Sequence, residues 1–323
     1  MVNNNPFIID ISSAATSSYT IEDYIYIQKQ LDDKNIDDLV TELYNTSSPA
    51  LHFYDLPDFK RRCTRGIRQK LIDPANPYLP LQNLYQIGDG GNGKNCIVCC
   101  TPFFNDNENS RLTASQQIKE SLELTGYNGY FYLFNGGFPN PTGIEMKYIG
   151  VPYCFKIFMM LEAKKKGFQN ILWIDSRCIS LKNPEPLFNI IEEHSVLFDI
   201  CFRGNNYEQM AFSSTRELLN RINNNRIEDA YYLNTIVFGL NVCAEPITKI
   251  IDEYYEMVKL GLPFLSIFPE EIVLSSIFNK SEYKNHLNYY DETHLKLQIS
   301  EFKMQKENAI QCGYYFYHTN YKI

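Results

Sequence analysis

From residue 94 onward, short apolar runs alternate with longer segments of helical spacing, and this alternation limits the possible folds more than any other feature. Cys96–Thr101 reads as a short buried strand. Ala114–Leu124 carries Ile118, Leu122 and Leu124 at helical spacing. Tyr130–Phe134 is a second, aromatic strand, ended by Gly136-Gly137. Pro152 suits the start of a helix, Tyr153 to Lys166 continues it, and Gly167 closes it. Ile171–Ile174 is a further strand, stopped by Asp175. Strands alternating with helices of this length predict an α/β fold with a mostly parallel sheet flanked by helices. No internal repeat is evident.

Residues 1–92 read differently and predict a mostly helical N-terminal region, followed by the sheet domain at 93–323. Thr20 can cap a helix in which Tyr24, Ile27 and Leu31 share a face. A second pattern follows through Ile36, Leu39, Val40 and Leu43. Lys60, Arg61, Arg62, Arg65, Arg68 and Lys70 then form a basic cluster, either a solvated face or a surface for an anionic ligand. After Pro74, Pro77 and Pro80 comes the glycine-rich run Gly88–Lys94. Its spacing matches a phosphate loop, but position 95 is Asn, which lacks the hydroxyl that would hold magnesium. The run also leads into a strand instead of a helix, so it reads as a turn before the first core strand.

Composition narrows the function classes. Thirty basic and 38 acidic side chains give a net charge of −8, which argues against nucleic-acid or anionic-membrane binding. The 24 tyrosines and 21 phenylalanines are too many for a disordered chain. Nine scattered cysteines, most of them in apolar runs, read as free buried thiols in a reducing compartment. Cys96 and Cys99 lie three apart on a strand and point to opposite faces, which disfavours a redox or metal pair. No run approaches the ~18 apolar residues of a membrane helix, and the N-terminus has no basic leader region. The expectation is a soluble, intracellular protein.

The strongest feature is the segment Gly167-Phe168-Gln169-Asn170-Ile171-Leu172-Trp173-Ile174-Asp175-Ser176-Arg177-Cys178-Ile179. A helix ends in Gly, and a buried strand then delivers Asp175 at its carboxyl end, where open α/β sheets bind ligands. A carboxylate there can hold a divalent cation bridging a diphosphate, because Mg²⁺ and Mn²⁺ prefer hard oxygen ligands. The segment Lys156–Leu187 resembles the helix–strand–Asp-x-Asp unit of GT-A-fold, nucleotide-sugar-dependent glycosyltransferases. Tyr232–Asn241 is similar to the strand lining the family's donor and acceptor pocket. Phe268–Leu274 is similar to the acidic helix start that follows, and Tyr315-Phe316-Tyr317-His318 to the C-terminal segment whose His completes a metal site. The resemblance covers about 94–323 and rests on order and spacing.

The resemblance implies a GT-A-like domain transferring a sugar from a nucleotide-diphosphate donor, UDP-linked by family frequency, to an unspecified acceptor. It implies Asp175 and His318 as ligands for Mn²⁺ or Mg²⁺. Asp175, Arg177, Glu270 and Glu271 are the catalytic candidates, either glutamate as a general base. Thr101, Lys156, Ser176 and Asn234 are candidates for donor or acceptor binding. The second carboxylate of the motif is Arg177 here. Arg177 can point away from a metal, or can itself neutralise the diphosphate and make transfer metal-independent. A blander reading accompanies each residue. Arg177 could pair with Glu185 or Asp199, Lys156 could be solvated, and Asn234 could be satisfied within the sheet. Glu270 and Glu271 could simply suit a helix start. The rival function is a catalytically inactive domain of the same fold that binds a nucleotide or glycan. A phosphate-loop NTPase and a nucleotidyltransferase fit less well, the latter because the acidic Asn105–Glu108 stands where a basic loop would be needed.

Overall fold

The computed structural model describes residues 81–101, 108–135, 155–203, 219–220, 231–260, 268–284 and 295–319, with Thr41, Asn45 and Pro57. The predicted helices at 21–43 and the basic cluster at 60–70 lie outside the described residues. In chain order the elements are β1 (Leu81–Ile87), β2 (Asn95–Thr101), α1 (Glu108–Leu124), β3 (Gly129–Asn135), α2 (Phe155–Lys165), β4 (Asn170–Ile174) and β5 (Cys178–Ser180). They continue with α3 (Glu185–His194), β6 (Val196–Arg203), β7 (Tyr231–Asn241), α4 (Glu245–Leu260), α5 (Pro269–Phe278), α6 (Ser281–Lys284), β8 (Gln298–Ser300), α7 (Lys306–Cys312) and β9 (Phe316–His318).

A six-stranded sheet in the order β1-β3-β2-β4-β7-β6 carries the core. The α/β class is as expected, but the sheet is more mixed than the mostly parallel one predicted. The centre, β3-β2-β4, is parallel, whereas β1 pairs antiparallel to β3, β7 to β4, and β6 to β7. In this sheet the connections through α1 and α2 are helical crossovers that return the chain in the same direction. β1 belongs to this sheet, so its described strands include residues ahead of 93. Pairing with β3 across more than forty residues is what draws β1 in.

Strand alternation sends side chains to two covered faces, which is why Cys96–Cys100 of β2 and Ile171–Ile174 of β4 are continuous apolar runs. Ile97, Cys99, Leu172, Ile174 and Val237 join Ile118 and Leu122 of α1 and Leu187, Phe188 and Ile191 of α3 in one cluster. On the other face Phe155 of α2 meets Trp173, and Phe278 of α5 meets Phe198. Gly239 of β7 lets α3 sit close: a Cβ there would stand 2.2 Å from Ile191 Cδ1 and 3.3 Å from Leu197 Cβ. Gly239→Ala should therefore cost about 1–3 kcal/mol through overpacking. Urea unfolding reads this, and an unchanged midpoint would contradict the contact.

The glycine run is a turn between β1 and β2, with a strand on each side. Because β3 separates those strands, the turn crosses the entry to β3. Gly88, Gly90, Gly91 and Gly93 all have positive φ, and the backbone N–H groups of Asp89, Gly90 and Gly91 all donate to Asn128 Oδ1, at 3.0, 3.1 and 3.2 Å. A side-chain oxygen of the same chain thus fills the amide nest that would otherwise suit a phosphate.

A second, three-stranded sheet has the order β5-β9-β8. It is anchored beside β4, since the Cys178 N–H donates to the Asp175 carbonyl at 2.9 Å.

Candidate functional site

The parallel strands β2, β3 and β4 end together at Thr101, Asn135 and Ile174. In the β2–β4 register Val98 lies opposite Trp173, which brings Asp175 level with the end of β2. Antiparallel β7 runs in alongside, and the Asp175 N–H donates to the Ile236 carbonyl at 2.9 Å. The first turns of α2 and α5 face this edge and supply Lys156, Glu270 and Glu271.

These residues form one ionic cluster. The buried Lys156 ammonium lies 3.1 Å from Asp175 Oδ1 and 2.8 Å from Glu270 Oε1. It also donates to the Thr235 carbonyl at 2.9 Å and to Thr235 Oγ1 at 3.2 Å. The Thr235 hydroxyl donates to Glu270 Oε1 at 2.8 Å. Burial pulls the Lys156 pKa down, but the charges of Asp175 and Glu270 more than reverse this and hold it well above the ordinary lysine value. A cation in the first helical turn opposes the macrodipole of α2, so these carboxylates are what hold it there.

Asp175 is the open end of the cluster, its side chain 30% exposed where Lys156 and Glu270 are sealed. Its Oδ1 also accepts from the Trp173 indole N–H at 2.8 Å, as two residues apart on a strand point the same way. Oδ2 carries no hydrogen bond among the described residues. The Cys99 and Cys178 thiols are pushed up by burial and then by the Asp175 charge, which leaves them unreactive.

Glu271 is turned inward. It is hydrogen-bonded to the Tyr232 hydroxyl, and its Oε1 accepts from the Thr235 N–H at 3.3 Å. Burial first, and the Glu270 charge second, push its carboxyl up to about 7 from an ordinary 4.5. Between those values the folded chain holds a proton that the unfolded chain has released. Stability therefore falls as pH rises through this window. Glu271→Gln should flatten that decline, which urea unfolding at pH 5 and pH 8 would read. A decline of the same size in the variant would remove Glu271 as its source.

The other sequence candidates are placed as follows. Thr101 is buried at the end of β2, where its hydroxyl donates to the Phe134 carbonyl at 3.4 Å. Asn234 is buried, and its Oδ1 accepts from the Ile236 N–H at 2.8 Å, so its side chain folds back onto its own strand. Ser176 and Arg177 are half-buried in the turn after Asp175. The Arg177 carbonyl accepts from both the N–H and the hydroxyl of Thr319, each at 2.9 Å. Its guanidinium has no ion pair or hydrogen bond among the described residues, and no pairing with Glu185 or Asp199 forms. Asp199 instead faces Asn234 across the ladder and receives the Gln298 amide at 3.5 Å. Trp173, Thr235 and Tyr232 are the site residues that sequence reasoning missed. The i, i+2 spacing of Trp173 and Asp175 was the available signal for the first.

His318 lies on β9 opposite Cys178. Among the described residues no three His, Cys, Asp or Glu side chains are gathered so that they could hold a metal ion. Asp175 Oδ1 is bound to an ammonium, and the motif's third position is a cation. As arranged, these residues do not fit a divalent metal. No helix among the described residues is long and apolar enough to cross a membrane.

No family model matches the sequence, and no curated protein matches it either. Among solved structures, mouse xyloside xylosyltransferase 1 is similar over 71% of this chain and 97% of that one, at 11% identity and a TM-score of 0.42. Galactosyltransferase LgtC, in complex with donor and acceptor sugar analogues, is similar over 70% of this chain and 87% of that one, at 12% identity and a TM-score of 0.39. The mannosyltransferase Ktr4p from S. cerevisiae is similar over 79% of this chain and 84% of that one, at 11% identity and a TM-score of 0.38.

Proposed function

We propose that this chain is a glycosyltransferase that moves a sugar from a nucleoside-diphosphate donor, with UDP the expected nucleotide. The observation that carries the reading is Asp175. It sits at the carboxyl end of a central parallel strand, with Oδ1 locked by Trp173 and Lys156 and with Oδ2 left over to accept a donor hydroxyl. Two residues on, Arg177 has a guanidinium with no partner among the described residues, the group best shaped for bidentate binding of phosphate oxygens. Charge developing on a leaving diphosphate is the largest demand on such a site, and this reading gives Arg177 the task of meeting it. Glu270 and Glu271 are bound within the protein, so the reading that fits gives neither of them the acceptor proton. Glu270 positions Lys156.

A panel of nucleotide sugars, tested by calorimetry and by hydrolysis on the full chain, checks this reading. Binding and slow hydrolysis of one donor is the expected result, and no binding of any donor would sink it. The inward glutamates favour a second reading, a nucleotide- or glycan-binding domain without turnover. Binding without hydrolysis would identify that one.

A further inference from the structure

The disagreement between these residues and a divalent metal has a physical cause. Asp175 Oδ1, Glu270 Oε1, the Thr235 carbonyl and Thr235 Oγ1 converge on one point, and these oxygens are the donor type that hard divalent cations take. That point is held by the Lys156 ammonium. The spacings of 2.8 to 3.2 Å are those of ammonium hydrogen bonds, longer than metal–oxygen bonds of about 2.0–2.6 Å. An ammonium has three N–H groups, which these four oxygens share.

We infer that the Lys156 ammonium fills the cation position of this site, so that a nucleoside diphosphate binds without a divalent metal and its charge is met by the Arg177 guanidinium. The inference rests on the nucleotide-sugar reading above. Lys156 is a positioning residue here. It neutralises Asp175 and Glu270 from beneath, so that the surface presented to the diphosphate is not dominated by carboxylate charge. Arg177, carried on the turn after Asp175 and without a side-chain partner among the described residues, is the group that touches the ligand.

The test titrates UDP into the EDTA-treated full chain, with and without MnCl₂, and follows Mn²⁺ itself by electron paramagnetic resonance. Wild type should bind UDP with a Kd that manganese changes by less than about twofold, and should show no site-bound Mn²⁺. Arg177→Gln should weaken UDP by about tenfold or more in both conditions, the size of one lost charge-assisted phosphate contact. UDP binding that requires manganese would overturn the inference and leave the nucleotide reading standing. No UDP binding in either condition would remove that reading, and the inference with it. Lys156→Ala, with its fold checked by circular dichroism, should gain Mn²⁺ binding at the vacated oxygen cage. A folded variant that binds none would overturn the cage as a cation position. If the variant does not fold, the wild-type titrations decide alone.

Discussion

Replacing Lys156 with Met should lower the stability of the folded protein by about 3–5 kcal/mol, the usual consequence of breaking a buried ion pair from one side. Methionine fills much of the same volume, so little of the loss would come from a cavity. The cost arises because Glu270, sealed from water, loses the ammonium at 2.8 Å, and Thr235 loses the donor to its carbonyl at 2.9 Å. Asp175 suffers less, because its side chain reaches solvent. The same logic orders the double variant: adding Glu270→Gln removes the most deeply stranded charge and should restore part of the loss. Urea unfolding of the single and double variants measures both. A single-variant loss below about 1 kcal/mol would place the pair among weakly coupled surface bridges.

Asp175→Asn should lower donor turnover by about 100-fold or more, within the range seen when one preorganised polar group is removed from a reacting centre. The substitution keeps the size of the side chain and retains an oxygen to accept from the Trp173 indole and the Lys156 ammonium. It removes the negative charge and turns one acceptor into a donor, which changes what Oδ2 can offer to a sugar or ribose hydroxyl. The fold should survive, because the Asp175 backbone stays tied to Ile236 and Cys178. Steady-state rates on the donor identified from the panel, with circular dichroism as a control, read the effect. Full activity in this variant would dissociate the site from the reaction.

Features written in local sequence were legible. Asp175 stops an all-apolar run, Gly167 closes a helix with a φ of +100°, and Pro269-Glu270-Glu271 opens one. Strand direction was not legible, since β7 pairs with β4 across about sixty intervening residues and nothing local states which way it runs. β1 was missed because its inward positions include Asn83, which breaks the apolar alternation of an edge strand. Lys156 illustrates the limit best. Its position on α2 suggested a phosphate contact or a solvated charge. Its actual partners lie at 175, 235 and 270, gathered only when three separate elements meet at one sheet edge. For Glu270 and Glu271 the helix start was clear, but their inward orientation depends on Thr235 and Tyr232 of the neighbouring strand.

The clamp on the turn after β1 bears on how the chain assembles during synthesis. The amides of Asp89, Gly90 and Gly91 are satisfied by a residue that lies 37 to 39 positions later. Until the ribosome has delivered Asn128, the Asp89 amide lacks that acceptor, the Gly90 and Gly91 amides have only the Ile87 carbonyl and Asp89 Oδ1 close by, and the strand that β1 pairs with, which begins at Gly129, has not been made. β1 is therefore a strand whose docking awaits a later one. Loop closure over that separation must come before any gain from pairing, so this edge of the sheet waits for the α1–β3 segment behind it.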